Sequence, residues 1–283
     1  MLAAAAAIGF GAVVYTYLTL PDVRLLAATD PSTTAFMELR AAEAAREGRS
    51  ARRVQRWVPY SQISPALKRA VLVAEDAAFW DHEGVDYEEL RASIRVNWEQ
   101  GRAVRGASTI TQQLAKNLYL SPSRNPLRKL RELVIARRLE AALPKARIFE
   151  IYLNVIEWGD GIWGAEAAAR TYFGVPASAL NAEQSALLAG AIINPRTHNP
   201  ARVTPRLRRR QQIILSRMGE VTPPPLAPLA ATAPLDAPAA EAVAPAAPSD
   251  IVADPLPDAA GDAGVGDDAP AEQQPPPAEE PVL

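Results

Sequence analysis

Apolar residues between positions 60 and 220 recur at three- and four-residue intervals, with little of the period-two alternation that marks half-buried strands, so the pattern predicts helices. Ser64-Pro65 reads as an N-cap followed by a proline at the first helical position. Leu67, Val71, Ala74 and Ala78 form one apolar stripe behind it, predicting a helix over 65–78. A second helix begins near Ser108 or Thr109, with Gln112 as a capping-box partner of Thr109. A third starts at Asn125-Pro126 and runs to Leu143, where Pro144 stops it, and further helices are expected over 148–156, 165–172, 182–193 and 206–218. Ahead of these, 36–47 reads as a short helix and 52–58 as extended. The expected fold class is all-α: roughly 150 residues of short helices around one core.

The two ends differ from this middle. Residues 2–20 read LAAAAAIGFGAVVYTYLTL without a charge, long enough for a helix crossing a hydrocarbon core and longer than the apolar run of a typical cleaved signal, although a small-residue cleavage site near Ala27-Ala28 is the competing reading. The expectation is an N-terminal transmembrane helix over 1–21 and a juxtamembrane connector over 22–54. No Lys or Arg precedes the span, so the positive-inside rule gives little orientation, and a longer or shifted start is an open alternative. From Val221 to Leu283 there is no Lys or Arg, while 11 acidic residues and 15 of the 26 prolines fall there, which predicts a disordered tail over 220–283.

Setting the tail aside changes the charge. The chain as a whole has a formal net charge of −2, but the first 220 residues carry 30 basic against 21 acidic side chains, a net of +9. Such a domain is drawn to phosphate-bearing ligands and anionic headgroups, and the apolar N-terminal stretch argues against nucleic acid as the partner. The chain has no cysteine, which excludes disulfides and Cys-ligated metals.

Three segments carry candidate chemistry. Glu75 lies four residues after Val71, at the edge of the buried stripe, where partial desolvation would raise its pKa toward that of a general base. The bland reading pairs it with Lys68 or Arg69 on a solvated helix end. His82 has only His198 for company and reads as a loop-shaping hydrogen-bonding residue. Next, Thr109, Gln112, Gln113 and Lys116 share a helical face, where a solvated helix would carry Glu/Lys pairs; neutral donors and acceptors ending in a cation suit a cleft reading sugar hydroxyls or phosphate oxygens. Arg124, Arg128, Lys129 and Arg131 follow, with Glu132 one turn after Arg128. They form either an exposed basic helix or a cluster that neutralises a diphosphate leaving group.

These residues stand in four runs: EDxxFxxHxG at Glu75 to Gly84, GxSTITQQxxKN at Gly106 to Asn117, RKxxE at Arg128 to Glu132 and IYLNxIxxGxxxxGxxxAAxxYFG at Ile151 to Gly174. With them the chain resembles the family 51 glycosyltransferases, most closely the monofunctional peptidoglycan transglycosylases, over about residues 55–218. The resemblance implies a lysozyme-like, two-lobed glycosyltransferase domain over 55–219, with a membrane-dipping jaw between Trp80 and Arg105. It implies polymerisation of lipid II into linear glycan by an inverting single displacement that releases undecaprenyl diphosphate. Glu75 matches the general base and Glu132 the second catalytic glutamate, which is also the candidate ligand for an optional divalent cation, Mg or Mn; no cofactor is firmly required. Lys116, Arg124, Arg128 and Lys129 match the residues holding the donor diphosphate, and Ser108, Gln112, Gln113 and Asn117 the polar lining. Asp76, Phe79, His82 and Gly84 shape the first motif. The implied partners are lipid II, the growing lipid-linked glycan, the bilayer and, optionally, division or elongation proteins. The implied location is the bacterial inner membrane, single-pass, with the domain on the periplasmic side.

The tail lacks an SxxK motif, so no transpeptidase activity is expected. A lytic transglycosylase or lysozyme-type enzyme would not need Lys116, Arg124 and Lys129 gathered around a diphosphate, and a non-catalytic scaffold would have no chemical use for both glutamates.

Overall fold

The computed structural model describes Gly11 and residues 19–101, 106–123 and 125–221. Among these residues helix dominates: α1 (Ala35–Arg46), α2 (Pro65–Glu75), α3 (Tyr87–Glu99), α4 (Ile110–Tyr119), α5 (Pro126–Ala142), α6 (Lys145–Val155), α7 (Ala165–Phe173), α8 (Ala182–Ala191) and α9 (Pro205–Arg217). The starts follow from side-chain oxygens that satisfy the first free N–H groups. Ser64 accepts from Ala66 N at 3.1 Å, Asn125 from Leu127 N at 2.9 Å and Thr204 from Leu207 N at 3.2 Å, each just ahead of a proline at the first turn. Thr109 accepts from Gln112 N at 3.2 Å, but the expected reciprocal bond is not made, because Gln112 Oε1 instead accepts from Lys129 Nζ at 3.2 Å.

Packing is organised by α2, α4, α6 and α8. Helices α2, α8 and α9 pack on one another, while α4 packs on α1, α5 and α6. Leu67, Val71, Leu72, Ile110, Leu114 and Phe149 are fully buried members of one core.

The pure all-α expectation is corrected by a small sheet. Strands β1 (Val54–Gln55), β2 (Glu157–Gly159) and β3 (Ile162–Trp163) stand in the order β1-β3-β2, with β1 parallel and β2 antiparallel to β3. Strands of two or three residues are too short to show an alternation. Their turn requires Gly161, with φ +67°, since a Cβ there would sit 2.4 Å from the Arg52 carbonyl oxygen.

Residues 22–54 pack into the domain. Val23 and Leu26 belong to the core, and the buried Arg147 on α6 donates to the carbonyls of Leu26 at 2.8 Å and Thr29 at 3.1 Å and to Asp30 at 2.7 Å. Asn154 closes the next stretch by accepting from Val58 N at 3.0 Å and donating to Val58 O at 2.9 Å.

The expected N-terminal transmembrane helix, and the single-pass membrane location built on it, are withdrawn: among the described residues no helix is long and apolar enough to cross a membrane. Most of 2–20 lies outside those residues, as do Arg124 and, from residue 222 on, the expected disordered tail. The stretch expected to form the jaw contains α3, on which Tyr87, Leu90, Ile94 and Trp98 form one exposed apolar face.

Candidate active site

Helix α2 ends at Glu75 because Asp76 leaves the helical conformation, with φ −166°, and turns its carboxylate onto the start of α4. Asp76 Oδ2 accepts from Ile110 N at 2.9 Å, and Oδ1 meets His82 Nε2 at 3.0 Å. Thr109 donates to the Gly84 carbonyl at 2.8 Å. Gly84 takes φ +78°, which favours glycine there. Phe79, fully buried, packs on Phe149 with centroids 5.5 Å apart. The first motif therefore joins the end of α2 to the start of α4 and leaves Glu75 at the junction.

Glu75 does not pair with Lys68, whose ammonium is buried over the Tyr60 ring, 3.8 Å from its centroid. Glu75 Oε2 accepts from Gln113 Nε2 at 2.9 Å, and Gln113 Oε1 in turn accepts from the Tyr152 hydroxyl at 3.0 Å. Burial pushes the Glu75 carboxyl above its ordinary range. The Gln113 bond and the charges of Arg210 and Lys116 oppose that push, and the neighbouring Asp76 adds to it. With Ser108, Thr109, Asp86, Glu89 and Arg217, Glu75 lines a cleft of ≈ 340 Å³.

The second group lies on α5. Glu132 is buried at 3 % exposure and forms ion pairs with Arg128 and Lys129, one turn away. Lys129 Nζ also donates to Ser108 Oγ at 3.1 Å and to Gln112 Oε1 at 3.2 Å, tying α5 to the segment that opens α4. Lys116 links the two groups electrostatically. Burial lowers its pKa; the charges of Glu132 and Glu75 raise it, and those of Arg128 and Lys129 lower it further.

The expected residues are thus gathered, with exceptions. Asn117 is turned onto its own helix, donating to the Gln113 carbonyl at 2.8 Å, and Arg124 lies outside the described residues. Among the described residues no group of three or more His, Asp or Glu could hold a metal ion. Glu132 is bracketed by cations, so its surroundings fit a divalent cation poorly, and no step is routed through one.

Sequence reasoning missed Tyr152, Arg210, Arg217, Asp86 and Glu89. Tyr152 stood in the fourth motif without a role. Arg210 and Arg217, seven residues apart on one face of α9, carried no role in the sequence; in the fold Arg210 acts electrostatically on Glu75 and Arg217 lines its cleft.

The Transglycosylase family profile matches residues 43–219. Several proteins described as biosynthetic peptidoglycan transglycosylases are similar to this chain. The one from Laribacter hongkongensis is 51% identical over 195 residues, 69% of this chain and 86% of its own length. That from Nitrosomonas eutropha is 52% identical over 188 residues, covering 66% and 77%. That from Dechloromonas aromatica is 50% identical over 189 residues, covering 67% and 82%.

Proposed function

This chain belongs to the transglycosylase family and is a biosynthetic peptidoglycan glycosyltransferase, and we propose that it polymerises lipid-linked disaccharide units with Glu75 as the general base. The observation that carries this reading is a carboxylate that burial drives toward a higher pKa, facing a cleft whose Ser108 is bonded by Lys129, with Lys116 electrostatically coupled both to Glu75 and to the cationic group of Arg128 and Lys129.

In the proposed reaction the 4-hydroxyl oxygen of the acceptor sugar attacks the donor's anomeric carbon from the face opposite its diphosphate. The new C–O bond forms as the bond to the diphosphate breaks, and the configuration inverts. Glu75 takes the hydroxyl proton, while the electron pair leaves with the diphosphate oxygen. Lys116, Arg128 and Lys129 stabilise the charge that develops there, where fixed donors act most strongly. Glu132 holds Arg128 and Lys129 in place. A glycan-cleaving enzyme would leave this cationic cluster without a task.

The exposed apolar face of α3 supports a lipid-linked substrate, because the same helix supplies Glu89 to the cleft from one side and carries Trp98, 87% exposed, on the other. The test is incubation of the purified full chain with labelled lipid II, followed by gel separation. Ladders of glycan polymer are expected; recovery of unchanged lipid II, or its cleavage to free disaccharide, would overturn the reading.

A further inference from the structure

We propose that Tyr152 is a positioning residue, whose hydroxyl anchors the Gln113 amide so that an N–H of that amide stays aimed at the Glu75 carboxylate; this rests on Glu75 being the base. Tyr152 lies on α6 at 0% exposure and has no access to a substrate. It reaches Gln113 Oε1 at 3.0 Å, and Gln113 Nε2 reaches Glu75 Oε2 at 2.9 Å, so the three side chains form one line from the core to the cleft.

An ionised carboxylate only accepts hydrogen bonds, whereas a primary amide offers a donor end and an acceptor end of similar size. Which end faces Glu75, and whether the amide stays there, depends on what holds the other end. Gln113 is half-buried, so without a partner for Oε1 its side chain can turn away toward the cleft. A hydroxyl donated to Oε1 removes that freedom and polarises the amide, strengthening the N–H on the far side. The tyrosine keeps its proton at working pH, because burial first, and then the charges of Glu75 and Asp76, push its pKa well above the ordinary value.

The consequence for Glu75 has a definite sign. Its bond from Gln113 is the largest influence opposing the upward push of burial. The other groups facing Glu75 are Lys116 from α4, Arg210 from α9 and Asp76 in the chain, with Asp86, Glu89 and Arg217 around the same cleft. None of these is altered by removing one phenol oxygen. Loss of the Tyr152 hydroxyl therefore lets the Glu75 pKa rise further and leaves less of the ionised base near neutrality.

The test uses the full chain with labelled lipid II. Tyr152→Phe keeps the ring that fills the core, and Gln113→Met removes the same line from its cleft end. Each variant is expected to move the acid limb of the kcat profile upward by about one pH unit, a roughly tenfold loss well below the limb, with recovery at high pH; KM is expected to stay unchanged in Tyr152→Phe, whose phenol has no access to substrate. The double variant should be no slower than Gln113→Met alone, because Tyr152 acts only through Gln113. An unmoved acid limb in Tyr152→Phe, a loss equal at every pH, or an additive double variant overturns the proposal. Should Tyr152→Phe not fold, an unmoved limb in Gln113→Met overturns it equally. Glu75→Gln run in parallel separates the two levels: if it retains activity, the base assignment falls; if it is inactive while the limbs stay put, only the role of Tyr152 falls.

Discussion

Replacing Asp76 with alanine should damage this domain more than loss of any exposed helix cap, and the size of the effect can be worked from its contacts. The Asp76 side chain is 3% exposed and accepts from two donors, Ile110 N at 2.9 Å and His82 Nε2 at 3.0 Å. In Asp76→Ala both donors lose this acceptor; Ile110 is fully buried and the His82 side chain is 9% exposed. An unsatisfied buried donor costs about 1–3 kcal/mol, so the pair should cost roughly 2–6 kcal/mol. For a domain of roughly 200 residues that is a fall in Tm of about 4–24 °C. Asp76→Asn keeps one acceptor oxygen and should lose roughly half as much. The contrast is Asn125→Ala, which removes an exposed cap on α5 and should cost about 1 kcal/mol. Urea titration of the three variants at fixed pH measures all of these. A loss below about 0.5 kcal/mol for Asp76→Ala would refute the view that this carboxylate joins α2 to α4.

Three other variants probe different parts of the site. Lys129→Ala removes a donor shared by Ser108, Gln112 and Glu132, so kcat/KM on lipid II should fall about 10²–10³-fold, while Arg128 still pairs with the buried Glu132; a fall under about threefold would exclude it from diphosphate stabilisation. Trp98→Ala on the open face of α3 should raise KM for a long-chain lipid substrate roughly tenfold without changing Tm, and an unchanged KM would deny that face a role. Glu75→Gln should be more stable than the parent at pH 7.5. A carboxyl whose pKa is raised on folding contributes stability that is fully present below its unfolded pKa and lost as pH rises through the folded value, so the advantage of the amide should vanish on acidification toward pH 4. A lower Tm for Glu75→Gln at pH 7.5 would contradict this.

Much of the scaffold was legible because local chemistry decided it. The caps at Ser64, Asn125 and Thr109 sit where hydroxyl or amide side chains precede the apolar periodicity, and Pro144 ends α5 as its missing N–H requires. Helix α3 was not foreseen, because its apolar residues Tyr87, Leu90, Ile94 and Trp98 face outward, where a pattern expected to mark a buried stripe gives no core partner. The stretch 52–58 was read as extended, but the sheet itself escaped notice because its strands are only two or three residues long and β1 meets β3 from more than a hundred positions away. At the site, residue types at Glu75, Gln113, Lys116, Lys129 and Glu132 pointed to one chemistry through their spacing and the family resemblance. The contributions of Tyr152, Arg210 and Arg217 depend on how α6 and α9 pack against α2 and α4, which no local pattern encodes. Asn117 shows the converse, a residue that the resemblance assigned to the polar lining and whose amide bonds its own helix backbone.

The assignment of Glu75 as the proton acceptor is tested most directly by measuring lipid II polymerisation and lipid II binding side by side in the parent and Glu75→Gln. The amide keeps the shape and can still accept from Gln113, so binding should stay within about threefold of the parent, while the initial rate should fall by about 10²–10⁴, the range expected for loss of a general base. Polymer formed by Glu75→Gln at the parental rate would contradict the assignment.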